Sequence, residues 1–228
     1  MEIIAHIRTD FKEKFGIPRQ SGVVEGLQGR IVFTLPYRKA EALRGLEEYS
    51  HLWIVWQFSR AIQAPGEWHS TVRPPRLGGN KRVGVFATRS PFRPNPIGLS
   101  CVKIEGIDMD TPEGPVVRVS GVDMLDGTPI YDIKPYLSYC DAHPEAMCGF
   151  ADRVKYQRMS IEDPGGALTV LPEALRDAAR GVLEQDPRPH YQEDSERVYG
   201  LNLAAYNIRF RTEGRVVIVV EVRKDDGV

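Results

Sequence analysis

Acidic side chains are missing from one long stretch of this 228-residue chain. Between Glu67 and Glu105 there is no Asp or Glu, although the whole chain is balanced at 30 Lys+Arg against 31 Asp+Glu. That interval holds Arg73, Arg76, Lys81, Arg82, Arg89, Arg93 and Lys103, a local basic field inside a near-neutral protein. Cysteine is also scarce. Cys101, Cys140 and Cys148 are odd in number, widely spaced and form no C-x-x-C, which argues for reduced thiols rather than a disulfide framework or a zinc site. The histidines at 6, 51, 69, 143 and 190 show no ligand spacing, so no metal is expected. No window approaches the ~18 apolar residues of a membrane span. Residues 1–8 carry Glu2 and Arg8 and do not read as a signal peptide, so a cytoplasmic location without membrane contact is expected. There is neither a G-x-G-x-x-G nor a regular strand–helix alternation, which disfavours a Rossmann-type fold.

What is present reads mostly as β up to about residue 140. Short apolar or β-branched runs at 3–7, 31–35, 52–58, 83–87, 102–107 and 116–122 are separated by turn signals such as Gly78-Gly79 and Asp126-Gly127. Val102 and Ile104 alternate with Lys103 and Glu105, the pattern of a half-exposed antiparallel strand. Ala40, Leu43, Leu46 and Tyr49 predict a helix over 38–49. A closed or nearly closed β-barrel suits this arrangement. Beyond about residue 145 the character changes. Residues 159–169 read as connection, and 171–185 as a helix with Pro172 and Glu173 in its first turn. Strands at 203–211 and 215–223 then form a hairpin across Thr212-Glu213-Gly214. The expected fold is mainly β, with a β-barrel domain over 1–145 and a small α+β domain over 146–228.

Six stretches are candidates for chemistry. Residues 83–99 begin as a strand and then meet Pro91, Pro94 and Pro96, which hold Arg89, Arg93 and Asn95 on a stiff turn. The basic tract, with its interleaved glycines and prolines, suits phosphate oxygens. Residues 15–22 form a Gly/Pro-bounded loop bearing Arg19 and Gln20, readable as a ligand loop or as a plain connection. Residues 48–58 place three rings, Trp53, Trp56 and Phe58, on one strand, chiefly as core. In 123–136, Asp126-Gly127-Thr128 is a tight turn, and Asp132, Lys134 and Tyr136 share one strand face. That segment reads equally as a site or as a turn plus an exposed edge strand, the edge being favoured by Pro135. Residues 190–200 mix tyrosines with charges, as a nucleic-acid or dimer surface or as an ordinary loop.

Taken together these segments resemble the TrmO family (YaeB, or TsaA-like) of tRNA adenine-N6 methyltransferases. The resemblance runs through 15–20, 49–53, 71–80, 83–99, 125–136 and 187–200, and the V-G-V-F-A-T-R-S-P-F-R-P-N-P-I-G-L run is its most specific part. It implies a single-sheeted β-barrel that binds S-adenosylmethionine, a homodimer, and a C-terminal domain that assists tRNA binding. It also implies methylation of N6 of threonylcarbamoyladenosine at position 37, beside the anticodon of threonine tRNA, giving m6t6A. The implied cofactor contacts are Pro18, Arg19, Gln20, Ser59, Arg60, Arg89, Leu99, Leu125, Asp126, Gly127 and Thr128. Ser59 departs from the family pattern, which often has His there. Asp126 and Tyr136 are rival candidates for the general base, with water as a third acceptor. Arg73, Arg76, Lys81, Arg82 and Arg93 are the candidate anticodon-loop contacts. Two other readings stay open: a barrel methyltransferase acting on another RNA or a small molecule, and a non-catalytic nucleotide- or RNA-binding barrel.

Overall fold

The computed structural model describes residues 1–62, 64, 67–74, 77, 80–153, 158–188 and 196–225. Strands β1 (Ala5–Thr9), β2 (Gln28–Phe33), β3 (His51–Gln57), β4 (Thr71–Val72), β5 (Val83–Gly84), β6 (Ile97–Asp108), β7 (Val116–Ser120) and β8 (Pro129–Pro135) occupy the first part. After them come helices α1 (Ser138–Asp141) and α2 (Phe150–Arg153), strand β9 (Ser160–Glu162), helix α3 (Glu173–Glu184), and strands β10 (Tyr199–Leu203), β11 (Tyr206–Glu213) and β12 (Val216–Lys224).

Six strands close into one antiparallel barrel in the order β1-β2-β7-β6-β3-β8. The period-2 pattern explains why. Ala5, Ile7 and Thr9 face in, as do Leu52, Ile54 and Trp56, while their neighbours face out or stay half-exposed. β8 pairs with β3 along most of its length and with β1 at Ile130 and Pro129, so the edge-strand reading of this segment is corrected. Pro135 is tolerated because it stands at the last position of β8, beyond the reach of β1. β4 and β5 form a separate two-stranded arm.

The predicted helix over 38–49 is replaced by short 3₁₀ turns at Leu35–Tyr37, Ala40–Leu43 and Leu46–Glu48. The spacing of Ala40, Leu43, Leu46 and Tyr49 is strictly three, which is the repeat of a 3₁₀ turn, not the 3.6 of an α-helix. Gly45 at φ +87° separates the second turn from the third. The strand expected over 83–87 stops at Gly84, because Val85 bends into a 3₁₀ turn whose carbonyl accepts from both Thr88 N–H and Thr88 Oγ1.

The C-terminal sheet runs β10-β11-β12-β9. β9 lies within the segment read as connection and pairs parallel to β12 through Ile161 and Val217. The single strand expected over 203–211 is divided at Ala204, which turns the chain at φ +53°. Helix α3 buries Ala178, Ala179, Val182 and Leu183. Its Gly181 lies so close to Val24 that a Cβ there would come within 2.7 Å of the valine methyl. The segment between β1 and β2 is thus wedged between the barrel and the C-terminal unit. It is tied to that unit by Ala204 N–H to Asp10 O (3.0 Å) and Asn202 Nδ2 to Glu13 Oε1 (2.8 Å). The barrel core and the C-terminal core form one continuous apolar cluster.

Candidate functional site

Strand directions decide where the predicted residues go. β1, β3 and β7 finish at the same end of the barrel, where β2, β6 and β8 begin. The β1–β2 segment with Pro18, Arg19 and Gln20 therefore emerges at this mouth. So does the long excursion after β3, with Ser59, Arg60 and Arg89. Leu99 stands at the start of β6, and the turn Leu125–Thr128 leads into β8. Segments more than a hundred residues apart in sequence are gathered by topology alone.

Side-chain contacts tighten the cluster. Arg89 Nη1 donates to Gln20 Oε1, joining the P-R-Q loop to the A-T-R-S loop. Ser21 Oγ accepts from Cys101 N–H (3.1 Å), and Gly22 N–H donates to Gly121 O (2.8 Å). Lys14 Nζ reaches Arg60 O (3.4 Å). Ser59 and Arg60 are both exposed just beyond β3.

The 125–128 turn is fastened to β1. Asp126 N–H donates to Phe11 O and Gly127 N–H to Ile7 O, each at 2.8 Å. Thr128 Oγ1 donates to Leu125 O (2.7 Å) and closes the turn. The Asp126 carboxylate accepts from Thr9 N–H (3.1 Å) and from Lys12 Nζ (2.7 Å). Partial burial pushes its pKa up, but the Lys12 and Thr9 hydrogen bonds and the charges of Lys12 and Arg8 outweigh this, and the group titrates below the usual carboxylate range. It is a charged anchor and a weak proton acceptor. Gly127 is at φ +74°, and a Cβ there would meet only the tip of Arg8 at 3.9 Å, so the backbone of the turn is open to a ligand.

Asp123, two residues before the turn, was not singled out by its sequence context. Trp56 Nε1 donates to Ser100 Oγ (2.9 Å), and Ser100 Oγ donates to Asp123 Oδ1 (2.6 Å). Burial pushes the Asp123 carboxyl up to about 6, against the opposing pull of the Ser100 hydroxyl, the backbone N–H groups of Asp123 and Ser21, and the Arg89 charge. Its contacts lie 23 and 102 residues away along the chain for Ser100 and Ser21, so no local motif advertises it.

Tyr136 does not join this group. It follows the far end of β8, packing beside His51 and Trp53 with ring centroids 6.2 and 5.8 Å away. At ~3.3 Å per residue, the length of β8 sets it roughly 20 Å from the Asp126 turn. Asp132 is paired with Lys134 (2.9 Å) partway along the same strand. A shallow cleft of about 440 Å³ beside the turn is lined by Arg8, Lys12, Gln28, Arg30 and Asp126 among others. Of the predicted cofactor contacts only Asp126 lines it.

In the basic tract Arg73, Lys81 and Arg82 are exposed and Arg93 is half-buried, whereas Arg76 lies outside the described residues. Part of the 190–200 segment, 190–195, also lies outside them. Among the described residues no group of His, Cys, Asp and Glu is arranged to hold a metal ion, and no helix is long and apolar enough to cross a membrane.

Comparison with known proteins matches this architecture along the chain. The model of the tRNA-methyltransferase O N-terminal domain covers residues 6–142, and that of the TrmO C-terminal domain covers 155–225. The tRNA (adenine(37)-N6)-methyltransferase of Escherichia coli K12 is 40% identical over 225 residues, 92% of each chain. A Pseudomonas aeruginosa protein carrying the name of an S-adenosylmethionine-dependent methyltransferase, RcsF, is 40% identical over 88% of this chain and 87% of its own. The crystal structure of TrmO from Pseudomonas aeruginosa superposes with a TM-score of 0.77 at 32% identity, covering 97% of this chain and 96% of that one. With both family domains matched in order and the barrel shared with a solved member, the chain belongs to the TrmO family.

Proposed function

We propose that this protein is an S-adenosylmethionine-dependent tRNA methyltransferase acting on N6 of adenosine-37. The observation that carries the reading is the convergence of the P-R-Q loop, Arg89, Leu99 and the 125–128 turn at one barrel mouth. The donor types there suit the cofactor. Arg19 and Arg89 are forks for its carboxylate. Asp126 is a fixed anion for its amine or ribose hydroxyls, and the open backbone at Gly127 allows close approach. Leu99, 56% exposed on a strand, and half-buried Leu125 are apolar cover for adenine. When bound, the cofactor supplies an electrophilic methyl group on a sulfonium.

The protein's own part is then largely positioning, because in-line displacement needs aligned reactants more than covalent help. Arg89, held by Gln20, orients one end of the site, and the turn fastened to β1 orients the other. Asp126, kept ionised by Lys12 and Thr9, serves better as an anchor than as the group that removes the N6 proton. The finer reading is that the target adenosine carries a threonylcarbamoyl group, that the product is m6t6A in threonine tRNA, and that the enzyme works as a cytoplasmic homodimer. In this reading residues 1–145 form the cofactor domain, 146–228 assist tRNA binding, and Arg73, Lys81, Arg82 and Arg93 meet anticodon-loop phosphates. The test is methyl transfer from labelled S-adenosylmethionine to threonine tRNA with and without prior threonylcarbamoylation. Incorporation only into the modified tRNA supports the full reading. Incorporation into neither, with cofactor binding intact, returns the substrate to question.

A further inference from the structure

Beyond Glu67 the excursion between β3 and β6 is free of acidic residues, and it carries three exposed aromatic rings whose solvent exposure no core requirement explains. Phe86 is 69% exposed, Phe92 51% and Trp68 40%. Phe86 is pushed outward by its neighbour Val85, which is fully buried and starts the 3₁₀ turn. The Trp68 and Phe86 rings lie 5.8 Å apart at 34°. The Arg93 guanidinium stands 5.9 Å over Phe86 and is steadied by a hydrogen bond from Nη1 to Thr88 O (3.0 Å). Trp68 and Phe86 flank the β4–β5 arm, whose ends are tied by Val85 N–H to Ser70 O (2.9 Å) and where Arg82 Nη1 donates to Thr71 Oγ1 (3.0 Å).

We infer that Trp68 and Phe86 form a stacking platform for unpaired bases of an RNA loop, flanked by the cations that hold its phosphates. The inference rests on the tRNA-methyltransferase reading and adds a base-contacting surface to it. Flat rings beside an arginine are what unstacked bases need, since every base offers a π-face, whereas phosphate contacts alone read none of them. Charge favours RNA over a second copy of the chain. On a two-fold axis this patch would meet itself, arginine against arginine, with no acid between Glu67 and Glu105 to compensate.

The experiment uses the full-length protein and two RNAs: the anticodon stem-loop of threonine tRNA and the same stem-loop with abasic loop positions. Phe86→Leu and Trp68→Leu keep apolar bulk but remove the ring. Each is expected to weaken binding of the intact loop about tenfold, to leave the abasic loop unaffected and to leave cofactor binding unchanged. Phe86→Tyr is expected to retain wild-type affinity. Equal affinity of wild type and both leucine variants for the intact loop overturns the platform while wild-type methylation of tRNA keeps the enzyme reading. A change in sedimentation with unaltered RNA affinity overturns it in favour of a subunit interface. Failure of the wild type to bind or methylate any tRNA overturns both.

Discussion

Two carboxylates three positions apart, Asp123 and Asp126, are tuned in opposite directions, and the difference is measurable. Asp123 is raised to about 6 by burial, so its charge is tolerated less in the folded protein than in the unfolded chain. Its contribution to stability is fully present below about pH 4, the unfolded value, and is lost as pH rises through about 6. Asp123→Asn keeps an acceptor for Ser100 and removes the charge. The variant is expected to flatten the decline of Tm between about pH 4 and 6 and to match or exceed the wild type above it, read by thermal melts across pH. Asp126 has the opposite sign. Its stabilisation is present above the unfolded pKa and lost as pH falls through the lower folded value, so Asp126→Asn is expected to cost stability at pH 7 and progressively less as pH falls below the ordinary carboxylate range. If Asp126 is an anchor, the same variant loses cofactor affinity more than it changes the pH profile of turnover. A third residue is sterically decisive. A Cβ on Gly98 would sit 2.2 Å from the Trp56 ring, which also holds Ser100. Gly98→Ala is expected to displace Trp56 and cost about 2 kcal/mol or more, seen in denaturant melts and in tryptophan fluorescence.

Strands were legible where burial has one side. In β6, Val102 and Ile104 turn inward while Lys103 and Glu105 stay exposed, the alternation read from the chain, because a strand facing a core on one side must repeat every two residues. The three-residue spacing misled the helix reading over 38–49, because the segment from Leu35 to Glu48 forms successive 3₁₀ turns with Gly45 as a break. β8 was harder. Its polar Asp132 and Lys134 and its Pro135 look like an edge, yet closure gives it neighbours on both sides. β9, three residues long, has too little pattern to be read at all. The site was legible as separate motifs and illegible as a constellation. Gln20 with Arg89, Asp126 with Lys12 and Asp123 with Ser21 are pairings set by the shared barrel mouth, which only the sheet order reveals. At this scale α3 is a test case. Gly181→Val is expected to collide with Val24 and loosen the β1–β2 segment, lowering cofactor affinity from a position outside the site, as isothermal titration would show.

The two family domains share one continuous apolar cluster, so the C-terminal unit supports the barrel mouth as well as extending the molecule. Removing the chain beyond residue 153 would strip Leu201 and Val182 from Gly16, Ala178 from Gly26 and Gly181 from Val24, on the segment that carries Arg19 and Gln20. Truncation is therefore expected to weaken cofactor binding together with tRNA binding. Cofactor affinity that survives truncation unchanged would show the mouth to be self-supporting. The last consequence concerns time. The barrel closes only when Ala5 and His6 meet Ile130 and Pro129, partners some 125 positions away along the chain. That contact needs most of the barrel sequence to be synthesised first, and long-range pairing of this kind is slow to nucleate. The same closure brings Ile7 to the carbonyl of Thr128 and the amide of Gly127. The mouth is thus expected to organise only with barrel closure, so that during refolding cofactor binding should appear together with closure and not before it.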